Sequence, residues 1–172
     1  MTVTPAPDAR LDPLTEADFA LLAGLAERIW RAHYIPLIGE AQVVYMLAGR
    51  YTPEKLRAYL GDPDRGLELL RVDGEAVGYC SYALTDTPGE MKLEQLYLLP
   101  ERHGQGLGGL MLRHVEAEAR RRGCRTLMLT VNKGNTGSIA VYRASGFTVR
   151  AEAVFDIGQG FVMDDYVMSK AL

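Results

Sequence analysis

The sequence predicts an α/β fold, and three observations carry that prediction. Apolar residues recur at helical spacing in the first third of the chain; the period turns extended from Leu67 onward; and mid-chain, at 96–112 (LYLLPERHGQGLGGLML), an apolar strand runs through a glycine-dense turn into an amphipathic helix. No repeat, low-complexity tract or linker interrupts the pattern, so residues 1–172 are read as one domain, with 1–9 a loose lead-in.

A length of 172 residues, 48% of them hydrophobic, suffices for one well-packed core and is short for two. The net charge of −3 argues against a general nucleic-acid binder, which is usually strongly basic. Cys80 and Cys124 share no metal-ligand or redox spacing and read as small buried residues in a reducing compartment. His33, His103 and His114 are scattered, and no metal site is expected. The N-terminus has no apolar core and no run of transmembrane length follows, so a cytoplasmic protein without membrane contact is expected.

In chain order, a short strand at 10–13 leads to a helix that Thr15 caps, with Phe19, Leu22, Leu25, Ala26 and Ile29 as its buried stripe. A Pro36-containing turn separates it from a second helix at 40–48. Thr52, Pro53 and Gly61 then cap, start and stop a third. LELLRV and AVGYCSYAL flank Asp73-Gly74 and form a hairpin with a type I′ turn. In the next strand, MKLEQLYLL, alternation sets Leu93, Gln95, Tyr97 and Leu99 against Lys92, Glu94, Leu96 and Leu98. The helix after the glycines carries Leu107, Leu110, Met111, His114 and Val115 on one stripe and ends in three arginines, which suit the negative end of its dipole. TLMLTVN is a buried strand, NTGSIAVYRASGF a short helix, and strands at 148–155 and 161–170 close the chain.

Gly104, Gly106, Gly108 and Gly109 strip side chains from the turn, so its backbone can lie against a bulky ligand. Main-chain N–H groups without intrahelical partners, together with the helix dipole, make a seat for phosphate there. Gly104, Gly106 and Gly109 satisfy GxGxxG, but a Rossmann site needs an acid at the end of the next strand, and no Asp or Glu lies between Glu118 and Glu152. No Gly-Lys-Ser/Thr follows the glycines either, which removes a P-loop.

PERHGQGLGGLML, followed by LTVNKGNTGSIAVYRASGF, resembles the GCN5-related N-acetyltransferases (GNAT). Their Q/R-x-x-G-x-G/A signature aligns with His103, Gly104, Gln105, Gly106, Leu107 and Gly108, with His103 standing where Arg or Gln is usual. Their Asn-x-x-Ala/Ser…Tyr-x-x-x-Gly-Phe pattern aligns with Asn135, Ser138, Tyr142, Gly146 and Phe147. The resemblance implies a mixed, mostly antiparallel sheet splayed between its fourth and fifth strands, flanked by helices, with acetyl-CoA in the opening. Main-chain groups near Leu96 and Leu98 would pair with the pantetheine arm, Asn135 would hold it from the other side, and the turn from His103 to Gly109 would grip the pyrophosphate.

The implied reaction is direct transfer of acetyl to a primary amine, either small, polyamine-like, on an amino-acid-like metabolite or on a peptide. An amine must lose a proton before attacking a thioester, and Glu94 is the candidate base. Tyr142 matches the family's tyrosine general acid for the departing thiolate, and the Leu98 N–H is placed to polarise the thioester carbonyl. Tyr34, Tyr45 and Tyr82 are candidate acceptor-side residues. Asp164 or Asp165 would attract a cationic amine, and Arg143 reads as a solvated helix position. The segment IPLIGEAQVVYML and the DDYVM ending look similar to bacterial members that acetylate polyamines, and terminal strands of the family often mediate homodimers. The competing reading is a non-catalytic CoA-binding sensor or scaffold.

Overall fold

The structure, a computed structural model, describes residues 8–172. Of the expected lead-in at 1–9, residues 1–7 lie outside the described residues, and Ala9 already belongs to a strand. In order, the elements are β1 (Ala9–Pro13), α1 (Phe19–Ile38), α2 (Glu40–Arg50), α3 (Pro53–Arg57), β2 (Arg65–Val72), β3 (Glu75–Leu84), β4 (Glu90–Leu98), α4 (Leu107–Arg121), β5 (Thr126–Asn132), α5 (Thr136–Ala144), β6 (Thr148–Gly158) and β7 (Phe161–Ala171). The strands form a seven-stranded sheet in the order β1-β2-β3-β4-β5-β7-β6, antiparallel throughout except for β4 beside β5.

Local signals account for most boundaries. Thr15 opens the first helical turn, its N–H and hydroxyl both donating to Asp18 Oδ2 at 3.1 and 2.9 Å. The predicted stripe of α1 is buried, and Trp30 extends it. The expected turn at Pro36 is absent: α1 continues through it and ends at Gly39 (φ 85°), whose N–H donates to Ile35 O. Pro36 sits in the last turn, where its fixed φ suits a helix and only one backbone bond is forgone. Thr52 caps α3 by accepting from the Lys55 N–H. Asp73 (φ 50°) and Gly74 (φ 84°) form the β2–β3 turn with both central residues left-handed, as a type I′ turn requires.

Two features of β4 position the site. Its parallel pairing with β5 runs only from Glu90↔Thr126 to Lys92↔Met128, after which the strands part. On its other edge, Ser81 pairs with Gln95 but Tyr82 with Leu93, so Glu94 is the extra residue of a β-bulge. The two faces of β3–β4 are covered by different helices. Trp30 of α1 packs 5.6 Å from Tyr97 on one face, and His114 of α4 lies 6.4 Å from Tyr82 on the other.

His114, which falls on the apolar stripe of α4, also stands 3.3 Å from Glu68, and Glu68 accepts a 2.7 Å hydrogen bond from Tyr82. The adjacent Glu68 carboxylate holds the His114 pKa above the usual histidine value despite burial, with Glu118 adding to the rise and Arg122 opposing it. A folded-state pKa above the unfolded one means that His114 stabilises the fold fully below about pH 6.5 and loses that contribution as pH rises through the folded value. Thermal melts from about pH 6 to about pH 8 should therefore show falling stability, with a shallower fall for His114→Gln.

Candidate functional site

Where β4 and β5 part, a cleft of about 1210 Å³ opens, walled by Leu93–Leu98 on one side and Leu129–Asn132 on the other, with α1, α2, α5 and the β6–β7 hairpin around it. Leu99 donates its N–H to Val77 O. By strand alternation, the N–H and C=O groups of Leu98 and Leu96 therefore point away from β3 and into the gap. The cleft has a row of main-chain donors and acceptors facing a missing strand.

At the end of β4 the chain turns through Pro100–Arg102 and the glycines into α4. Gly104 (φ 79°) and Gly106 (φ 77°) are left-handed, and a Cβ built on Gly104, Gly106 or Gly108 would meet nothing within 4 Å. The N–H groups of Gly104, Gln105 and Gly106 find no acceptor among the described residues, and those of Leu107, Gly108 and Gly109 occupy the first turn of α4, where no intrahelical acceptor exists. No acidic side chain stands in that turn. His103 is turned back on β4, its Nε2 3.2 Å from Leu98 O. Arg113, which sequence reasoning passed over, folds onto Gly109, its Nη1 3.1 Å from the position of a built Cβ.

Of the residues singled out in the sequence, Glu94, Leu96, Leu98, His103, Asn135 and Tyr142 all line the cleft, while Gln105 and the glycines continue beyond its His103 end. The bulge leaves Glu94 half-buried, with Oε1 accepting from the Tyr59 hydroxyl at 2.9 Å and Oε2 without a partner among the described residues. Burial first, and then the Glu94 charge, pushes the Tyr59 phenol up. Tyr142 packs on Phe147 with ring centroids 5.7 Å apart, and its hydroxyl has no hydrogen-bond partner among the described residues. Burial, followed by nearby Tyr97, drives its pKa upward, so the phenol holds its proton at neutral pH. Asn135 is buried and caps α5 through Oδ1. Burial lowers the pKa of the neighbouring His33, and the Asn135 side chain pulls it partly back.

The family model of the acetyltransferase (GNAT) family matches residues 27–147, which include both motifs and the cleft walls other than the β6–β7 hairpin. The chain belongs to this family. Over 159 residues, 92% of this chain and 99% of the relative, it is 30% identical to an uncharacterised N-acetyltransferase of Mycobacterium tuberculosis. Over a shorter stretch, 58% of this chain and 35% of the relative, it is 36% identical to a mycothiol acetyltransferase of Salinispora arenicola. The fold superposes with a TM-score of 0.82 on the PaiA N-acetyltransferase of Thermoplasma acidophilum in complex with coenzyme A, at 21% identity over 96% of this chain and 99% of that one. An acetyltransferase from Thermus thermophilus gives 0.71 at 25% identity over 95% and 97%.

On the other side of the GNAT cleft, Tyr34 and Tyr45 line the wall as expected, but Tyr82 does not, because it points to the α4 face and bonds Glu68. Arg143 is exposed, and Asp164 is tied to Lys133 at 2.9 Å. The sequence reading missed Arg50, His33 and the aromatic floor of Trp30 and Tyr97, with Tyr51 packed behind it, whose apolar bodies look like ordinary core. Asp165, by contrast, is 5% exposed, lines the cleft, and has one carboxylate oxygen buried without a partner.

Burial and then nearby Asp164 push the Asp165 pKa up, with Lys92 opposing them. A carboxyl whose folded pKa exceeds its unfolded value binds more protons in the folded state, so stability falls as pH rises through that range. Asp165→Asn is expected to raise the melting temperature at pH 7 relative to wild type, and to do so less at about pH 4, as thermal melts would show.

Proposed function

We propose that the described residues act as one catalytic unit that transfers acetyl from acetyl-CoA to a primary amine by direct attack in a ternary complex. The observation that carries this reading is the cleft itself, an unpaired strand edge leading straight to the open glycine turn, with Glu94 and Tyr142 on its walls. An extended pantetheine arm suits the N–H and C=O groups of Leu96 and Leu98, with Asn135 opposite. The free N–H groups of Gly104 to Gly109, Gln105 included, suit a diphosphate, which His103 and Arg113 flank.

Chemistry at neutral pH starts from an ammonium, which must lose a proton. Glu94 receives it, directly or through water, while the amine nitrogen attacks the thioester carbon. The Leu98 N–H donates to the developing oxyanion. When the C–S bond breaks, Tyr142, still protonated, delivers its proton to the thiolate, and the second proton lost by the attacking nitrogen as the amide forms returns through water to restore the phenol. The amine nitrogen supplies the new bond, so no covalent enzyme intermediate is required.

Glu94→Gln should lower kcat/KM by about 10² or more and flatten its rise with pH, while Tyr142→Phe should lower kcat more than it weakens cofactor binding, both read by CoA-thiol release. If Asp165→Asn flattens the pH profile and Glu94→Gln does not, Asp165 is the base. Calorimetry with folded protein that detects no acetyl-CoA binding would sink the transferase reading, and binding without thiol release across a broad amine panel would favour a non-catalytic CoA-binding domain.

Gly108 separates ligand contact from folding. It has ordinary helical φ and open space around a built Cβ, so Gly108→Ala should stabilise the fold by about 0.5–1 kcal/mol through helix propensity. If the diphosphate lies against this turn, the same substitution should weaken acetyl-CoA binding, measured by calorimetry beside the melt.

A further inference from the structure

Arg50, the last residue of α2, presents a guanidinium to the cleft that nothing in the chain neutralises. Every Asp and Glu of the sequence lies among the described residues, and none forms an ion pair or hydrogen bond with it. Its carbon stands 5.1 Å from the centre of the Trp30 ring. Its closest electrostatic neighbours are the phenols Tyr97, Tyr51, Tyr34 and Tyr79. All four phenols are held above their ordinary pKa, burial being the largest cause of each rise, so at neutral pH they are uncharged and cannot balance Arg50. Most half-buried arginines here are matched: Arg71 reaches Asp12 and Asp18, and Arg122 reaches Glu118.

A half-buried cation without a counter-ion costs stability unless its partner arrives from outside. The planar five-donor fork of a guanidinium fits a carboxylate through two parallel hydrogen bonds. The cleft also carries Glu94 and Asp165, two carboxylates that form no ion pair among the described residues, with Lys92 the cation acting on Asp165, and both suit an ammonium. One small molecule bearing both charges would satisfy both sets.

We propose that Arg50 binds the carboxylate of the acceptor, and that the acceptor is an amino acid or a similar aminocarboxylate rather than a polyamine. This rests on the acetyltransferase reading of the same cleft. The amine is delivered toward Glu94 while the carboxylate is anchored on Arg50 against Trp30. Recognition of this kind rejects an analogue lacking the charge, because the buried guanidinium is then left unpaired.

The experiment is a CoA-thiol release assay over L-amino acids, each compared with its own carboxamide, together with spermidine and phosphoethanolamine. Wild type should favour acids over matching carboxamides by about tenfold or more in kcat/KM. The carboxamide's ammonium is the easier to deprotonate, so a preference for the acid cannot come from amine availability. Arg50→Gln and Arg50→Met should narrow that ratio at least about tenfold, chiefly through KM for the acid, and Arg50→Lys should fall between, having charge without the fork. Equal use of acids and carboxamides by wild type, or a preference for spermidine or phosphoethanolamine over every amino acid, overturns the proposal. So does a loss of acetyl-CoA affinity in Arg50→Gln in place of the loss for the acceptor. If acetyl-CoA binds and only carboxyl-free amines are turned over, this inference fails alone; if acetyl-CoA does not bind, or binds and no amine releases thiol, the transferase reading fails with it.

Discussion

The parting of β4 from β5 is the constraint on which the rest of the structure depends. Three paired residues join the two strands, and each strand is laddered along its length on its other side, β4 to β3 and β5 to β7. Both halves of the sheet are therefore stable without the missing pairing. The bulge at Glu94 falls just beyond the last parallel pair, where an extra residue bends and twists the strand away from its neighbour. Backbone groups of Leu96 and Leu98 are left facing a gap, and unpaired main-chain groups need water or a ligand. The same bulge sets the Glu94 carboxylate beside that gap, so one irregularity produces both the binding edge and the proposed base.

The floor of the cleft is built to be rigid and uncharged. Tyr51 hydrogen-bonds Tyr79 at 2.6 Å and Gln95 at 2.8 Å, and Tyr34 meets Tyr97 at 3.1 Å, locking α1 and the end of α2 onto β3 and β4. Trp30 lies among these rings, 4.7 Å from Tyr34. A polar network is stabilising when its members satisfy one another, and these phenols do so without introducing charge. Against that neutral floor, Arg50 and Asp165, which form no ion pair among the described residues, are local violations of good core design. Such violations concentrate where function requires them.

Local chemistry made most of the fold legible. Asp73-Gly74 specified its turn through positive φ, the stripe of α4 specified its buried face, and the two glycine- and Asn/Tyr-centred motifs located the cleft between strands whose divergence no periodicity reveals. Pro36 misled because a proline ordinarily marks a helix boundary at its own position, whereas α1 runs two residues past it before Gly39 stops the helix. Tyr82 misled because its face on β3 was not read: alternation sets it with Cys80, which also contacts Glu68 on the α4 side, while Tyr79 packs on Tyr51 and Tyr97 on the α1 side. Arg50 left no trace in the sequence. A basic residue closing a helix ordinarily answers the helix dipole, and only the absence of a nearby carboxylate in three dimensions distinguishes it.

His103 has a similar lesson at the opposite end of the cleft. Where the family pattern has a long Arg or Gln, the shorter imidazole lies back against the Leu98 carbonyl, tying the start of the glycine turn to the end of β4. It thereby engages one of the main-chain acceptors that face the gap, and the two left-handed glycines that follow carry the backbone onward with their N–H groups free. A diphosphate seated there would rely on main-chain donors and the α4 dipole for most of its binding, with Arg113 as the nearest flexible cation. The departure from the family pattern thus alters how the turn is anchored more than what the turn can hold, because its anion-binding capacity lies in glycine backbone that His103 leaves untouched.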